Sequence, residues 1–328
     1  MSLTILRLNA KTFPIKPVER EILKPFNVRI IEAEQPDECA DLTQIDAVMI
    51  VSAYLRTDEV KRLTRCKIIA RIGTGTDKID VAQASAQGIM VTNVPDFATN
   101  EVADHTLALL LSAARKLKYY ESNMRMGHRS FDTEGIRRLS VQTLGIIGFG
   151  LIGRAVATRA QAFGLRILIC DPGITPEQAE KWGVIPVDKE RILAESDYLC
   201  LLCPLMPATR HMMAMPEFRK MKREAILINT GRGELVNEKD LVEALKTGII
   251  AYAGLDVFGE INVFGPDGFP CTHPLFGLDN VQLTPHVAAN SREALDEVQA
   301  KATQAVADVF SGKTPRHVIN PEYSRKGA

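Results

Sequence analysis

"TLGIIGFGLIGRAVATRAQAFGLRILICD", residues 143–171, is the stretch from which the fold can be read. An apolar run from Thr143 to Ile147 leads into Gly148, Gly150 and Gly153 at G-x-G-x-x-G spacing. An amphipathic helical segment follows, and a second apolar run ends in Asp171. Glycine-rich turns are common, so the triplet alone says little. Between a buried strand and a helix it has a mechanism. The first glycine permits a tight turn, the second lets backbone approach a pyrophosphate, and the third allows close helix–strand packing. The helix N-terminus, where Leu151 and Ile152 lie, then faces the anion. Asp171 stands where a carboxylate accepts hydrogen bonds from an adenosine ribose. It would repel a 2′-phosphate, and Pro172 and Gly173 after it supply no cation, so NAD is expected rather than NADP.

The same alternation continues outward. Downstream, "VIPV", "DYLCLLCPL", "AILINTG", "YAGLDVF" and "VQLTPHV" read as strands, with helices in "PEQAEKWG" and "ELVNEKDLVEALKTG". Upstream, "LTILRL", "VRIIEAE", "AVMIVS", "KIIARIG" and "IMVTNV" read as strands separated by helical or loop segments. Such alternation implies parallel sheets covered on both faces. "TNEVADHTLALLLSAARKLKYYESNMRMG" predicts one long helix capped at Thr99 or Asn100, and "SREALDEVQAKATQAVADVFSG" predicts another. Two α/β lobes are expected, and a cleft between lobes is a natural place for a ligand.

The 328 residues carry 40 basic and 40 acidic side chains, for a formal net charge of +0. That balance argues against a nucleic-acid or membrane-surface partner, whose binding rests on a basic face. The opening "MSLTILRLNAKTF" lacks the long apolar core of a secretion signal, and no apolar stretch is long enough to span a bilayer. Of six cysteines, Cys200 and Cys203 form a C-x-x-C. No second pair sits at zinc-ligand spacing, and residues three apart on a strand face opposite ways. Buried thiols of a cytoplasmic protein are expected, with no metal site. "GTGTD", from Gly73 to Asp77, lacks the Lys-Ser/Thr tail of a P-loop. A glycine-flanked strand end can still offer backbone N–H groups to a small carboxylate.

Three strand ends place reactive side chains where a parallel sheet binds ligands. Arg232 follows "ILINTG", Asp256 closes "AGLD", and His286 follows "VQLTP". Reduction of a 2-oxo acid needs a guanidinium to grip the carboxylate and an acid to protonate the carbonyl oxygen. Histidine suits the second task near neutral pH, and a nearby carboxylate raises its pKa and orients its ring. Each residue also has a plainer role open to it. Arg232 could pair with Glu234 or Glu238, and His286 could be a core histidine. His105 reads as a packed or capping residue, and His128, His211 and His273 show no metal-ligand pattern.

These segments in order, from "GTGTDKIDV" and "GIMVTNVPDFATNEVADH" through "TLGIIGFGLIGRAVA", "SDYLCLLCPLMPATRHM", "AILINTGRGELVNEKDLVEAL" and "AGLDVF" to "LDNVQLTPHVA", resemble the D-isomer-specific 2-hydroxyacid dehydrogenases. The likeness runs from about residue 47 to 300. It implies two doubly wound parallel-sheet domains. A Rossmann NAD domain, 101–290, is inserted into a flavodoxin-like substrate domain, 1–100 plus 291–328. It also implies a homodimer. By resemblance, Arg232 anchors the 2-hydroxy or 2-oxo acid, His286 is the proton donor, and Thr74 and Gly75 contact the substrate carboxylate. Val102, Thr230, Gly231 and Asp256 lie near the nicotinamide, and Cys203, Pro204 and Thr209 on the adenosine side.

The family's histidine-pairing glutamate lies five residues after the aspartate of "LDVF"; here that position is Ile261, and Glu260 precedes it. On a regular strand a one-residue slip would turn the side chain away, whereas a loop or bulge restores it. Glu260 is therefore expected to pair with His286 and keep it charged. Asp104 replaces a common glutamate, and Phe131 lies near a frequent tryptophan position. Ser52 and Ala53 stand where phosphoglycerate enzymes carry an arginine, which favours a small unphosphorylated acid such as hydroxypyruvate or glyoxylate. A phosphoglycerate dehydrogenase, a formate or phosphite dehydrogenase and an NAD-sensing corepressor-like binding protein are the alternatives.

Overall fold

The computed structural model describes residues 2–130, 133–264 and 268–323. The chain divides into two compact units, Met1–Ala98 with Phe264–Asp267 and Asn290–Ala328, and Thr99–Val263 with Gly268–Ala289.

Unit 1 is built on five parallel strands, β1 (Leu3–Leu8), β2 (Val28–Ala33), β3 (Ala47–Ile50), β4 (Ile68–Arg71) and β5 (Met90–Thr92), in the order β2-β1-β3-β4-β5. This is the flavodoxin-like doubly wound order, which reverses direction between β1 and β3. β3 is buried along its whole length, as a strand covered on both faces must be. Three short helices connect the strands, α1 (Pro17–Leu23), α2 (Thr57–Arg62) and α3 (Val81–Ala86).

Unit 2 opens with α4 (Thr99–Ala114) and α5 (Leu117–Arg125). The sequence predicted one continuous helix here. Lys116 adopts φ +51°, a left-handed conformation that breaks the hydrogen-bond ladder. Seven parallel strands follow: β6 (Thr143–Ile147), β7 (Arg166–Cys170), β8 (Ile185–Pro186), β9 (Tyr198–Leu201), β10 (Ile226–Asn229), β11 (Tyr252–Leu255) and β12 (Val281–Leu283). Their order is β12-β11-β10-β9-β6-β7-β8, so the winding reverses between β6 and β9. Ligands of doubly wound sheets bind at that switch point, outside the carboxyl ends of the strands. The glycine turn leaves β6 there and starts α6 (Leu151–Gln161). Helices α7 (Pro176–Lys181), α8 (Lys189–Glu195), α9 (Met215–Phe218) and α10 (Glu238–Lys246) complete unit 2. The last helix, α11 (Arg292–Phe310), returns to unit 1, where its Val298, Ala302 and Val306 pack on Ile5, Met49 and Ile68.

Helix α4 sets the height of the site. It buries Val102, Thr106, Leu109 and Ala113 along one face, at the i, i+3, i+4 spacing of a core-facing helix. A Cβ added to Gly254 of β11 would stand 3.2 Å from Leu109 Cβ, so glycine there lets α4 lie close on the sheet. His105 and Thr106, one turn before Leu109, are thereby carried to the carboxyl ends of β10, β11 and β12. Among the described residues no helix is long and apolar enough to cross a membrane.

Candidate active site

At the switch point each glycine has a separate reason. Gly148 has φ +94°, and a Cβ there would meet the Cys203 backbone nitrogen. A Cβ at Gly153 would collide with the Gly148 carbonyl oxygen. At Gly150 a Cβ would meet no atom within 4 Å, so this glycine's face opens on unfilled space. Gly150 is also the N-cap of α6, with no side chain capping the first N–H groups. Free helix N–H groups, an approachable backbone and a dipole suited to negative charge fit a dinucleotide pyrophosphate.

Asp171, just after β7, accepts from Phe149 N at 2.6 Å and Gly173 N at 2.8 Å. Each carboxylate oxygen retains a lone pair, so these bonds orient the group without exhausting it. Trp182, the chain's single tryptophan, packs edge-on to Phe149 with ring centroids 6.1 Å apart. The Arg154 guanidinium lies over both rings. On the far side of β6, Cys203 is half-buried and Pro204 exposed. Thr209 Oγ donates to the Pro204 carbonyl at 2.7 Å and closes their loop. Burial pushes the Cys203 thiol up to about 11. Cys200 is fully buried, and both cysteines of the C-x-x-C are free thiols.

Three adjacent strand ends carry the residues singled out for chemistry. After β10, Asn229 Nδ2 donates to the Arg232 carbonyl at 2.9 Å, and its Oδ1 accepts from Gly231 N at 3.1 Å. Thr230 Oγ shares a 2.7 Å hydrogen bond with Thr106 on α4. This turn is pressed tight, for a Cβ at Gly233 would run into the backbone of Phe258 and Gly259. Arg232 is half-buried, and its Nη1 donates to the Gly231 carbonyl at 2.8 Å. Glu238 is buried beneath the next loop, where it accepts from Gly259 N and Glu260 N.

Asp256, fully buried after β11, organises the third strand end. Its Oδ1 accepts from Thr284 Oγ at 2.6 Å and Val287 N at 2.9 Å, and its Oδ2 from Ala288 N at 2.9 Å. Its carbonyl accepts from His286 N at 2.9 Å. Burial pushes its carboxyl above the usual range, against the opposing pull of these hydrogen bonds and of His105. His286 has φ +56°, a conformation rare for a residue with a side chain, and is half-buried. His105 Nε2 lies 3.0 Å from Thr284 Oγ and 3.5 Å from Asp256 Oδ1. Sequence reasoning read His105 as a packed or capping residue. Nothing local signalled its role, because its partners lie far along the chain.

The expected pairing of Glu260 with His286 is not formed. Among the described residues the ion-pair contact of Glu260 is with His273 Nε2, at 3.7 Å. The order Glu260-Ile261 explains this: Ile261 takes the buried position and Glu260 is left half-exposed. His273 also faces Glu238 at 3.5 Å. One atom from each of Glu238, Glu260 and His273 lies within 4.8 Å of the others, a spacing a metal could use. Leu275 N donates to His273 Nδ1, which leaves the ring proton on Nε2, facing the carboxylates as a donor. That tautomer suits hydrogen bonding rather than metal ligation. Asp104 pairs with Arg159 of α6 at 2.6 Å. Phe131 lies outside the described residues.

A family model described as "D-isomer specific 2-hydroxyacid dehydrogenase, NAD binding domain" matches residues 107–288. The chain belongs to the D-isomer-specific 2-hydroxyacid dehydrogenase family. This dehydrogenase is 40% identical over 263 residues to a glyoxylate reductase of Korarchaeum cryptofilum, covering 79% of this chain and 77% of that one. It is 38% identical to a D-3-phosphoglycerate dehydrogenase of Methanocaldococcus jannaschii, covering 80% of this chain but only 49% of that protein. A solved D-lactate dehydrogenase from Aquifex aeolicus, complexed with NAD and lactic acid, superposes with a TM-score of 0.86 at 28% identity, covering 94% of this chain and 96% of that one. The dehydrogenase is thus an NAD-dependent oxidoreductase, with its NAD-binding domain in unit 2.

In unit 1, the loop after β4 holds Thr74 and Gly75. Thr74 Oγ donates to the Val94 carbonyl at 3.1 Å, and Arg71 Nε donates to the Gly75 carbonyl at 2.8 Å. Among the described residues the Thr74 and Gly75 N–H groups have no protein acceptor. Val102, in unit 2, is buried in the first turns of α4.

Proposed function

We propose that this dehydrogenase interconverts a small D-2-hydroxy acid and its 2-oxo acid, with glyoxylate and hydroxypyruvate the leading substrates. The observation that carries the reading is the grouping of Arg232, Asp256 and His286 at the carboxyl ends of three neighbouring strands. NADH, when bound, would supply the hydride for the 2-oxo carbon. Arg232 grips the acid's carboxylate and polarises the carbonyl through its forked donors. His286 gives its proton to the carbonyl oxygen as the alkoxide develops, and takes one back in the oxidative direction. Asp256, its oxygens occupied by Thr284, Val287 and Ala288, is poorly placed to act as a base and well placed to anchor the His286 loop. The unspent N–H groups of Thr74 and Gly75 support a role in carboxylate binding. Gly148, Gly150, Leu151, Ile152, Gly153 and Asp171 would hold the cofactor, with Val102, Thr230 and Gly231 near the nicotinamide and Cys203, Pro204 and Thr209 beside the adenosine.

The glyoxylate reductase name of the Korarchaeum relative supports a small substrate, as does the absence of an arginine at Ser52 and Ala53. A homodimer is supported by α5, which buries none of its residues and exposes Leu117, Tyr119 and Met124. The free thiols support a reducing, cytoplasmic location. The test is NADH and NADPH oxidation with glyoxylate, hydroxypyruvate, pyruvate, phosphohydroxypyruvate and bulkier 2-oxo acids. Turnover of a small acid with NADH is expected. Tight NADH binding with no turnover of any of them would reject this reading in favour of another anion or an NAD-gated binding protein.

A further inference from the structure

We infer that His105 is a positioning residue, the far end of a hydrogen-bonded chain that holds His286 ready for proton transfer. The inference rests on the role proposed above for His286. Its basis is the direction of each bond. Thr284 has one hydroxyl proton, and at 2.6 Å from a carboxylate oxygen that proton points to Asp256. Toward His105 Nε2, 3.0 Å away, the same oxygen can only accept, so Nε2 carries a proton. The order is then His105 Nε2–H to Thr284 Oγ, Thr284 O–H to Asp256 Oδ1, and Asp256 to the N–H groups of Val287 and Ala288. Those amides directly follow His286, whose own N–H is held by the Asp256 carbonyl.

The chain has a reason to exist. His286 sits at φ +56°, and a side-chain-bearing residue keeps such a conformation only when its surroundings over-determine it. The clamp that does so hangs on one buried carboxylate. His105, 23% exposed, is the cationic or dipolar group facing that carboxylate from α4. Asp104, the residue before it, points away to Arg159. Without His105, Thr284 Oγ loses the donor facing it from α4, and Asp256 loses the imidazole 3.5 Å from its Oδ1. The backbone following His286 is then free to relax, and small misplacements of a reacting group are costly.

The experiment compares His105→Ala, His105→Gln, Thr284→Val and Thr284→Ser in the full chain. A glutamine amide can still donate to Thr284, and a serine hydroxyl can still bridge. His105→Ala and Thr284→Val should lower kcat on the best 2-oxo acid by roughly ten- to a hundredfold. The KM for that acid and the NADH affinity should stay within about twofold, because neither residue is proposed to touch them. The conservative partners should recover most of the loss. The His286 ring resonances, assigned by their disappearance in His286→Gln, give a second readout that needs no turnover. They should shift or broaden in His105→Ala and return in His105→Gln. Unchanged kcat and unchanged His286 resonances in His105→Ala would overturn the inference. Failure of the wild type to reduce any 2-oxo acid would instead count against the proposed function, leaving the resonances to decide this point.

Discussion

The backbone at Arg232 is held by its own turn. Asn229 clasps the Arg232 carbonyl, and Gly233 lets the turn lie against the backbone of Phe258 and Gly259. Arg232→Ala should therefore fold normally and lower kcat/KM about a hundredfold or more, since each hydrogen bond to a charged group contributes ~1.5–3 kcal/mol. NADH affinity, followed by quenching of Trp182, should persist; normal turnover by this variant would remove Arg232 from the mechanism. Glu260 belongs to the same scale and carries the opposite expectation. Half-exposed beside His273, it is out of contact with His286. Glu260→Gln should thus leave kcat within about threefold and the pH–rate profile unmoved. A large fall in kcat would mean that Glu260 swings to His286 during turnover.

The glycine turn and α6 act as one element, and two of its glycines separate packing from binding. Gly153→Ala drives a methyl into the Gly148 carbonyl, so it should lower the melting temperature, at a cost of about 1–3 kcal/mol for overpacking. Gly150→Ala meets no protein atom and should melt like the wild type, yet bind NADH much more weakly. Equal NADH affinity in Gly150→Ala would place the pyrophosphate elsewhere. The split of the predicted long helix into α4 and α5 belongs here too. Its apolar spacing was legible through Ala114, but the left-handed Lys116 leaves no mark on hydrophobic periodicity.

For the molecule as a whole, α5 is the surface that needs explaining. Leu117 and Met124 lie two turns apart on the same face and are 55% and 73% exposed. Val141 nearby in sequence is 70% exposed as well. Sedimentation velocity should find a dimer, and Leu117→Glu with Met124→Glu should shift it to monomer at equal concentration. A monomeric wild type would reject the homodimer. Stable dimers bury on the order of 1,200–2,000 Å², more than these side chains provide alone, so α4 and the segment after α5 would have to contribute.

Alternating apolar runs and the glycine spacing were enough to determine two parallel α/β sheets, the glycine turn between β6 and α6, and the strand ends bearing Arg232, Asp256 and His286. These are local properties: a buried strand needs an apolar run, and a tight turn over an anion needs glycine at set intervals. What the sequence could not order was which acid meets which histidine. Glu260 looked like the partner of His286 because it lay one residue from the expected place. Burial of Ile261 settled the loop the other way and gave Glu260 to His273. His105 and Thr284 are 179 residues apart and meet only because α4 lies across β10 and β11, seated by a glycine that lets Leu109 close on the sheet. Side-chain partnership across a fold depends on packing distances of a few ångströms, and no spacing along one chain encodes them.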